Sequence, residues 1–201
     1  MLDTLRESVA KKLSEKRYNH TLGVELTAER LAKIFLPEKV NEIRAAALLH
    51  DISKEYSEAE LVNLLKQSAN IFESDYKTPA AYHAFCAPTV IQRDFPEYAT
   101  SEILSAVFNH TTGSESMSLF DKIIFISDYI EPGRKYYQCI ETGNRLFTSL
   151  KSCSTEKEQI FCLDSAVLSA LSNTVAALYE RGAHINIRTL RAKEALSEIM
   201  L

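Results

Sequence analysis

The chain has 201 residues, 46% of them apolar, enough to bury a full core and too many for a disordered segment. Lysine and arginine number 23 against 27 aspartates and glutamates, a formal charge of −4 that argues against a dedicated nucleic-acid binder with its basic surface. That balance still allows a small phosphate ligand held by a few local cations.

The N-terminal stretch MLDTLRESVAKKLSEK lacks the apolar centre of a signal peptide, and no run is expected to reach the apolar length of a bilayer span. A cytoplasmic protein with no membrane partner is the expectation. Cys86, Cys139, Cys153 and Cys162 show no C-x-x-C spacing, so a thiolate metal cluster is not expected and the thiols should stay reduced.

Five glycines and five prolines are the only strong breakers, and helical spacing runs throughout, so the chain reads as all-α and as one domain over 1–201. Helices are expected over 3–16, over 20–36 with Pro37 as the stop, and over 38–50. SEAE at Ser57 to Glu60 is a capping box that opens a fourth helix. Residues 70–79 read as a loop, followed by short helices over 80–93 and 100–110. TTGSESMS is a loop, Ser118 caps a helix running to Ile130, and EPGR ends it. After 140 come two or three more helices. The best defined opens at Thr155 with the capping box TEKE and runs to Arg181, with Gly182 as its stop.

Polar groups fall where core is expected. Ile43, Ala46, Ala47 and His50 share one helical face, and Ile103, Ala106, Val107 and His110 repeat the pattern. His20 begins a stripe continued by Val24, Ala28, Leu31 and Phe35. Asp51 follows His50, and Asp128 lies inside the apolar run KIIFISDYI. Taken singly, a histidine on an apolar face is most often a satisfied core residue. The same explanation must hold independently for His20, His50, Asp51, His110 and Asp128, and it weakens with each. His83 has no decisive periodicity, and His184 lies in a loop apart from the pattern.

Histidines and carboxylates converging from several helix ends can build a metal site inside a bundle. Imidazole and carboxylate without thiolate suit Fe, Mn, Zn or Co and disfavour a closed structural zinc. Six candidate ligands exceed the needs of one ion that keeps open positions. A pair of ions bridged by Asp51 uses them all, an arrangement that clamps both oxygens of a phosphoryl displacement. Neither a Ser-His-Asp triad nor a phosphate-cradling glycine loop occurs.

The segments RYNHTLGVE, LLHDISKE, YHAF, FNHTTG and SDYIEPGR resemble, in order, the motifs of HD-domain metal phosphohydrolases. The H…HD…D core falls on His20, His50–Asp51 and Asp128, and His83 and His110 are similar to the extra histidines of the two-metal branch. Within that superfamily the chain looks most like the YqeK-type symmetrical bis(5′-nucleosyl)-tetraphosphatases, over Arg17 to Arg134, with a weaker echo in HINIRTLRAKEAL. It departs from the motif at Ala84, where a glycine is expected.

The resemblance implies an HD-domain helical bundle with a metal core over about 17–134, completed by helices over about 140–201. It implies His20, His50, Asp51 and Asp128 on one metal and Asp51, His83 and His110 on a second, with iron the suggested ion. Asp51 and Lys54 become the catalytic candidates, Lys54 stabilising phosphate charge or positioning water. Arg134 and Arg17 become candidates for phosphate contact, Thr111, Thr112 and Gly113 for lining the phosphates, and Glu131 for orienting Arg134 or a water. The implied reaction is symmetrical hydrolysis of a dinucleoside polyphosphate, diadenosine tetraphosphate giving two ADP. Hydrolysis of another nucleotide and a non-catalytic nucleotide or metal sensor stay open as alternatives. A homodimer is allowed on general grounds.

Overall fold

Helical spacing with few breakers gives eleven α-helices and no strand among the described residues, which in this computed structural model are 2–68 and 70–200. They are α1 (Leu2–Ala10), α2 (Glu15–Phe35), α3 (Val40–Leu49), α4 (Glu58–Leu65), α5 (Glu73–Tyr76), α6 (Tyr82–Asp94), α7 (Ser101–Asn109), α8 (Leu119–Ile130), α9 (Tyr137–Leu150), α10 (Glu156–Glu180) and α11 (Ile187–Ile199). Ser57, Ser118 and Thr155 each accept the backbone amide three residues on, while the acid at that position takes the cap's own amide. These reciprocal bonds satisfy two otherwise orphaned donors at each helix start. Gly182, at φ 61°, follows α10 in the left-handed conformation that glycine adopts without strain.

Three boundaries differ from expectation. The first helix stops at Ala10 rather than 16, and α2 begins at Glu15 rather than near His20. The chain tightens through Lys12, whose amide bonds Val9 O, and Ser14 then takes an extended conformation. The Glu55 carboxylate accepts the Ser14 amide at 3.0 Å, a long-range bond that no local pattern announces. His20 therefore sits in the second turn of α2. A 3-10 turn over Pro37–Lys39 precedes α3, and the expected loop over 70–79 contains α5.

The core is built from matching apolar stripes. Val24, Ala28 and Leu31 of α2, Ile43, Ala46 and Ala47 of α3, Ile103 and Val107 of α7, and Ile123 and Ile124 of α8 are all buried in one cluster. Full burial of each large aliphatic side chain contributes about 1.5–3 kcal/mol. α6 packs on α7, and α4 covers α6 through Leu61, Leu65, Tyr82 and Phe85.

α9, α10 and α11 continue the same cluster through Leu146, Leu163, Val167, Leu171 and Leu196. α10 has 25 residues and a mean hydropathy of 1.5 in its most apolar window, so by length and composition it meets the measure of a bilayer span. That corrects the expectation that no run does. Here its apolar face packs against α8, α9 and α11, and Lys122 Nζ reaches its buried Asp164 at 2.7 Å.

Candidate metal centre

The two apolar stripes that end in histidine deliver their rings to one place. His50 and His110 directly follow α3 and α7, still in helical conformation. His50 Nδ1 lies 2.7 Å from Ala47 O and His110 Nδ1 lies 2.6 Å from Val107 O. In each case a carbonyl three residues back accepts the Nδ1–H, fixing the tautomer so that Nε2 presents its lone pair to the interior. His20–His50, His50–His110 and His83–His110 ring centroids are 5.4, 5.0 and 5.1 Å apart, so four imidazoles form one continuous row.

Two carboxylates lie along that row. Asp128 Oδ1 is 3.0 Å from His20 Nε2 and 4.0 Å from His50 Nε2. Asp51 reaches both ways: Oδ2 is 3.8 Å from His50 Nε2, while Oδ1 is 3.2 Å from His83 Nε2 and 3.6 Å from His110 Nε2. His20, His50 and Asp128 form one compact donor group and His50, Asp51 and His110 a second, with His50 common to both. His83 lies beside them at Asp51 Oδ1, and Ser53 Oγ donates to His83 O at 2.6 Å and so fixes the first turn of α6.

Burial sets the charges. Desolvation pushes His50 and His83 down to about 4, keeping them neutral near pH 7. For Asp51, desolvation acts upward but is outweighed by His50, His110 and His83, and the carboxyl lies well below its ordinary range. Asp128 likewise lies below its ordinary range, because the His20 hydrogen bond and the Arg134 charge outweigh desolvation. Desolvation lowers Lys54, against the pull of Asp51.

His50 Nε2 and Asp51 Oδ1 are buried side-chain atoms with no hydrogen-bond partner. Such orphaned groups are costly unless something binds them. Neutral imidazoles and ionised carboxylates with free lone pairs are the donor set of a divalent transition metal, so the residues fit the group.

Lys54 Nζ sits 2.7 Å from His83 Nε2 and 3.5 Å from Asp51 Oδ1, inside the site rather than on the surface. Thr111 Oγ1 lies 3.0 Å from His110 Nε2 and 3.2 Å from His83 Nε2. Arg134 binds Asp128 twice, donating from Nε to the backbone O at 2.8 Å and from a terminal nitrogen to Oδ1 at 2.5 Å. Arg17 lies farther out, paired with Glu55 at 3.1 Å. His20, Asp51, Asp128 and Lys54 open into a cavity of about 1270 Å³ that Lys16, Arg17, Arg134 and Lys135 also line.

Two expected phosphate contacts lie elsewhere. Thr112 is buried and donates to Gly113 O at 3.1 Å. Gly113 is buried at φ 69°, and a Cβ there would lie 3.0 Å from that of Ala192. Gly113 packs against Ala192 of α11, and neither residue lines the cavity. Glu131, expected to touch Arg134 or a water, lies 3.2 Å from His20 Nδ1 and accepts the Gly133 amide at 2.5 Å. Its nearest approach to Arg134 Nε is 3.8 Å, so its main partner is His20.

Gly23 and Gly133 are the residues that sequence reasoning passed over. A Cβ on either would meet Glu131 Oε2 at 2.5 or 2.9 Å, so both glycines make room for that carboxylate. Gly23 stands one helical turn after His20, the spacing that would have flagged it.

The HD domain family matches residues 17–133, the span that carries all six candidate donors. The chain belongs to the HD domain family. Among curated relatives, a Halalkalibacterium halodurans protein named symmetrical bis(5′-nucleosyl)-tetraphosphatase is 31% identical over 178 residues, 89% of this chain and 87% of the relative. A Bacillus subtilis protein of the same name is 33% identical over 176 residues, covering 86% and 85%. A crystal structure from Clostridium acetobutylicum, described as a predicted HD superfamily hydrolase involved in NAD metabolism, superposes with a TM-score of 0.83. It shares 28% identity over 99% of this chain and 98% of that one.

Proposed function

We propose that this protein is a cytoplasmic symmetrical bis(5′-nucleosyl)-tetraphosphatase that cleaves diadenosine tetraphosphate into two ADP at a two-metal centre. The observation that carries the two-metal reading is Asp51, whose Oδ2 lies toward His50 and whose Oδ1 lies toward His83. His20, His50, Asp51 and Asp128 would hold one ion, and Asp51, His83 and His110 the other. Iron is the ion the family resemblance suggests, and Mn, Co or Zn suit the same donors. Bound divalent ions lower the pKa of a coordinated water and neutralise phosphoryl charge.

The chain's own groups supply orientation and countercharge. Lys54 offers an ammonium beside His83, where negative charge on a transferring phosphoryl group would be stabilised. Arg134 holds Asp128 in place and lines the cavity. With Lys16, Arg17 and Lys135 it supplies the local cations that the overall charge lacks. Thr111 fixes the facing edges of His83 and His110. A nucleotide substrate and four cysteines free of disulfides suit a reducing cytoplasm.

Product analysis tests the reaction. Iron- or manganese-loaded protein should convert diadenosine tetraphosphate to ADP as the sole nucleotide. ATP with AMP would overturn symmetrical cleavage, and intact substrate would overturn the activity.

A further inference from the structure

A symmetrical substrate cut at its centre carries a nucleoside on each side of the scissile bond, so a site built for it has two nucleoside-binding arms. The cavity containing the metal donors accounts for one direction. A second cavity of about 430 Å³ lies beside it, between α8, α9 and α10, and Tyr136 lines both. Tyr129 of α8 also lines the second cavity.

The chemistry of this second cavity suits a nucleobase. The Tyr136 side chain is largely free: the residue is 69% exposed, at a place where a large aromatic gains nothing from core packing. An exposed ring is a platform on which any base can stack. Around it stand the carboxamides of Gln138 and Asn173, groups that donate and accept as a base edge requires, while the Thr174 hydroxyl already donates to Ala170 O at 2.8 Å. Ala176 and Ala177 add a small apolar surface. The metal donors use none of these residues.

We infer that the cavity behind Tyr136 is the second nucleoside subsite, with one base of the dinucleoside polyphosphate stacked on Tyr136 and its edge read by Gln138 and Asn173. The assignment rests on the tetraphosphatase reading for the identity of the ligand. Tyr136 acts on binding, not on bond cleavage.

The test uses manganese-loaded protein and a diadenosine tetraphosphate whose central bridging oxygen is replaced by methylene, so that binding is read without turnover. Wild type, Tyr136→Ala and Tyr136→Phe are titrated by calorimetry, and KM and kcat for the natural substrate are measured in parallel. Tyr136→Ala should weaken analogue binding about ten-fold or more, the range of losing one base–aromatic stack. It should raise KM by a similar factor with kcat nearly unchanged, and Tyr136→Phe should restore both. Equal analogue affinity in wild type and Tyr136→Ala overturns the subsite, whether or not substrate is cleaved. Tyr136-dependent analogue binding without turnover by wild type supports the subsite and overturns the hydrolase reading instead.

Discussion

His20 has a carboxylate at each ring nitrogen, Asp128 at Nε2 and Glu131 at Nδ1. A ligating imidazole whose other nitrogen is held by a carboxylate is fixed in orientation and made more basic. Glu131→Ala should therefore weaken metal affinity about 10–100-fold, measured by competition with a chelator. Gly23→Ala should act in the same direction, since its new Cβ would displace the Glu131 carboxylate. Equal affinity in both variants would mean that Glu131 does not act through His20. The pH response of metal-stripped protein also belongs to single residues. His50 and His83 titrate near 4 when folded against about 6.5 unfolded, so the unfolded chain binds more protons between those values. Their contribution to stability is fully present above 6.5 and lost as pH falls toward 4. His20, raised by Asp128 against desolvation, acts in the opposite direction, so one histidine offsets part of what two produce. Thermal melts of stripped protein from pH 7 to pH 4.5 should show a falling Tm, whereas a flat profile would contradict the neutral buried pair.

At the scale of elements, the placement of α11 explains why the C-terminal sequence HINIRTLRAKEAL carries an echo of the family although no donor lies in it. Arg188 binds the fully buried Asp75 at 3.0 Å and stacks over Phe72, 4.3 Å from its ring centroid. Asp75 also accepts the Phe72 amide at 2.7 Å and Asn186 Nδ2 at 3.0 Å. Arg188 also lies over Phe85, two residues past His83, so this clamp braces the helix that carries His83. Asp75→Ala leaves Arg188 without its partner and should cost about 3 kcal/mol or more. In a chain of this length that is a Tm lower by about 6–12 °C. Ser118→Ala removes one capping box and should cost only about 1 kcal/mol. Equal melting shifts for the two would refute the clamp.

Capping boxes at Ser57, Ser118 and Thr155 and the apolar stripes were legible in the sequence because their causes lie within a turn or two of helix. The same local logic put His50, His110 and Asp128 on inward faces, and the bundle brings them together. What escaped has causes distant in the chain. Glu131 meets His20 across 111 positions. The start of α2 depends on Glu55, 41 residues beyond Ser14. His83 shows no stripe because nearly the whole first half of α6 is buried, which erases the periodicity that a one-sided helix displays.

For the whole molecule, a net charge of −4 coexists with a cavity where five cations face four carboxylates, so the charge that matters is local. α2, α3, α7 and α8 deliver five of the six donors to one end of the core, and α6 supplies the sixth. The most direct test of this arrangement is the number of metal ions per chain, with crystallographic location of each. Wild type should hold two ions sharing Asp51, and a His83→Ala, His110→Ala double variant should keep the one on His20, His50 and Asp128. A single ion in wild type, bound without His83 and His110, would contradict the two-metal account.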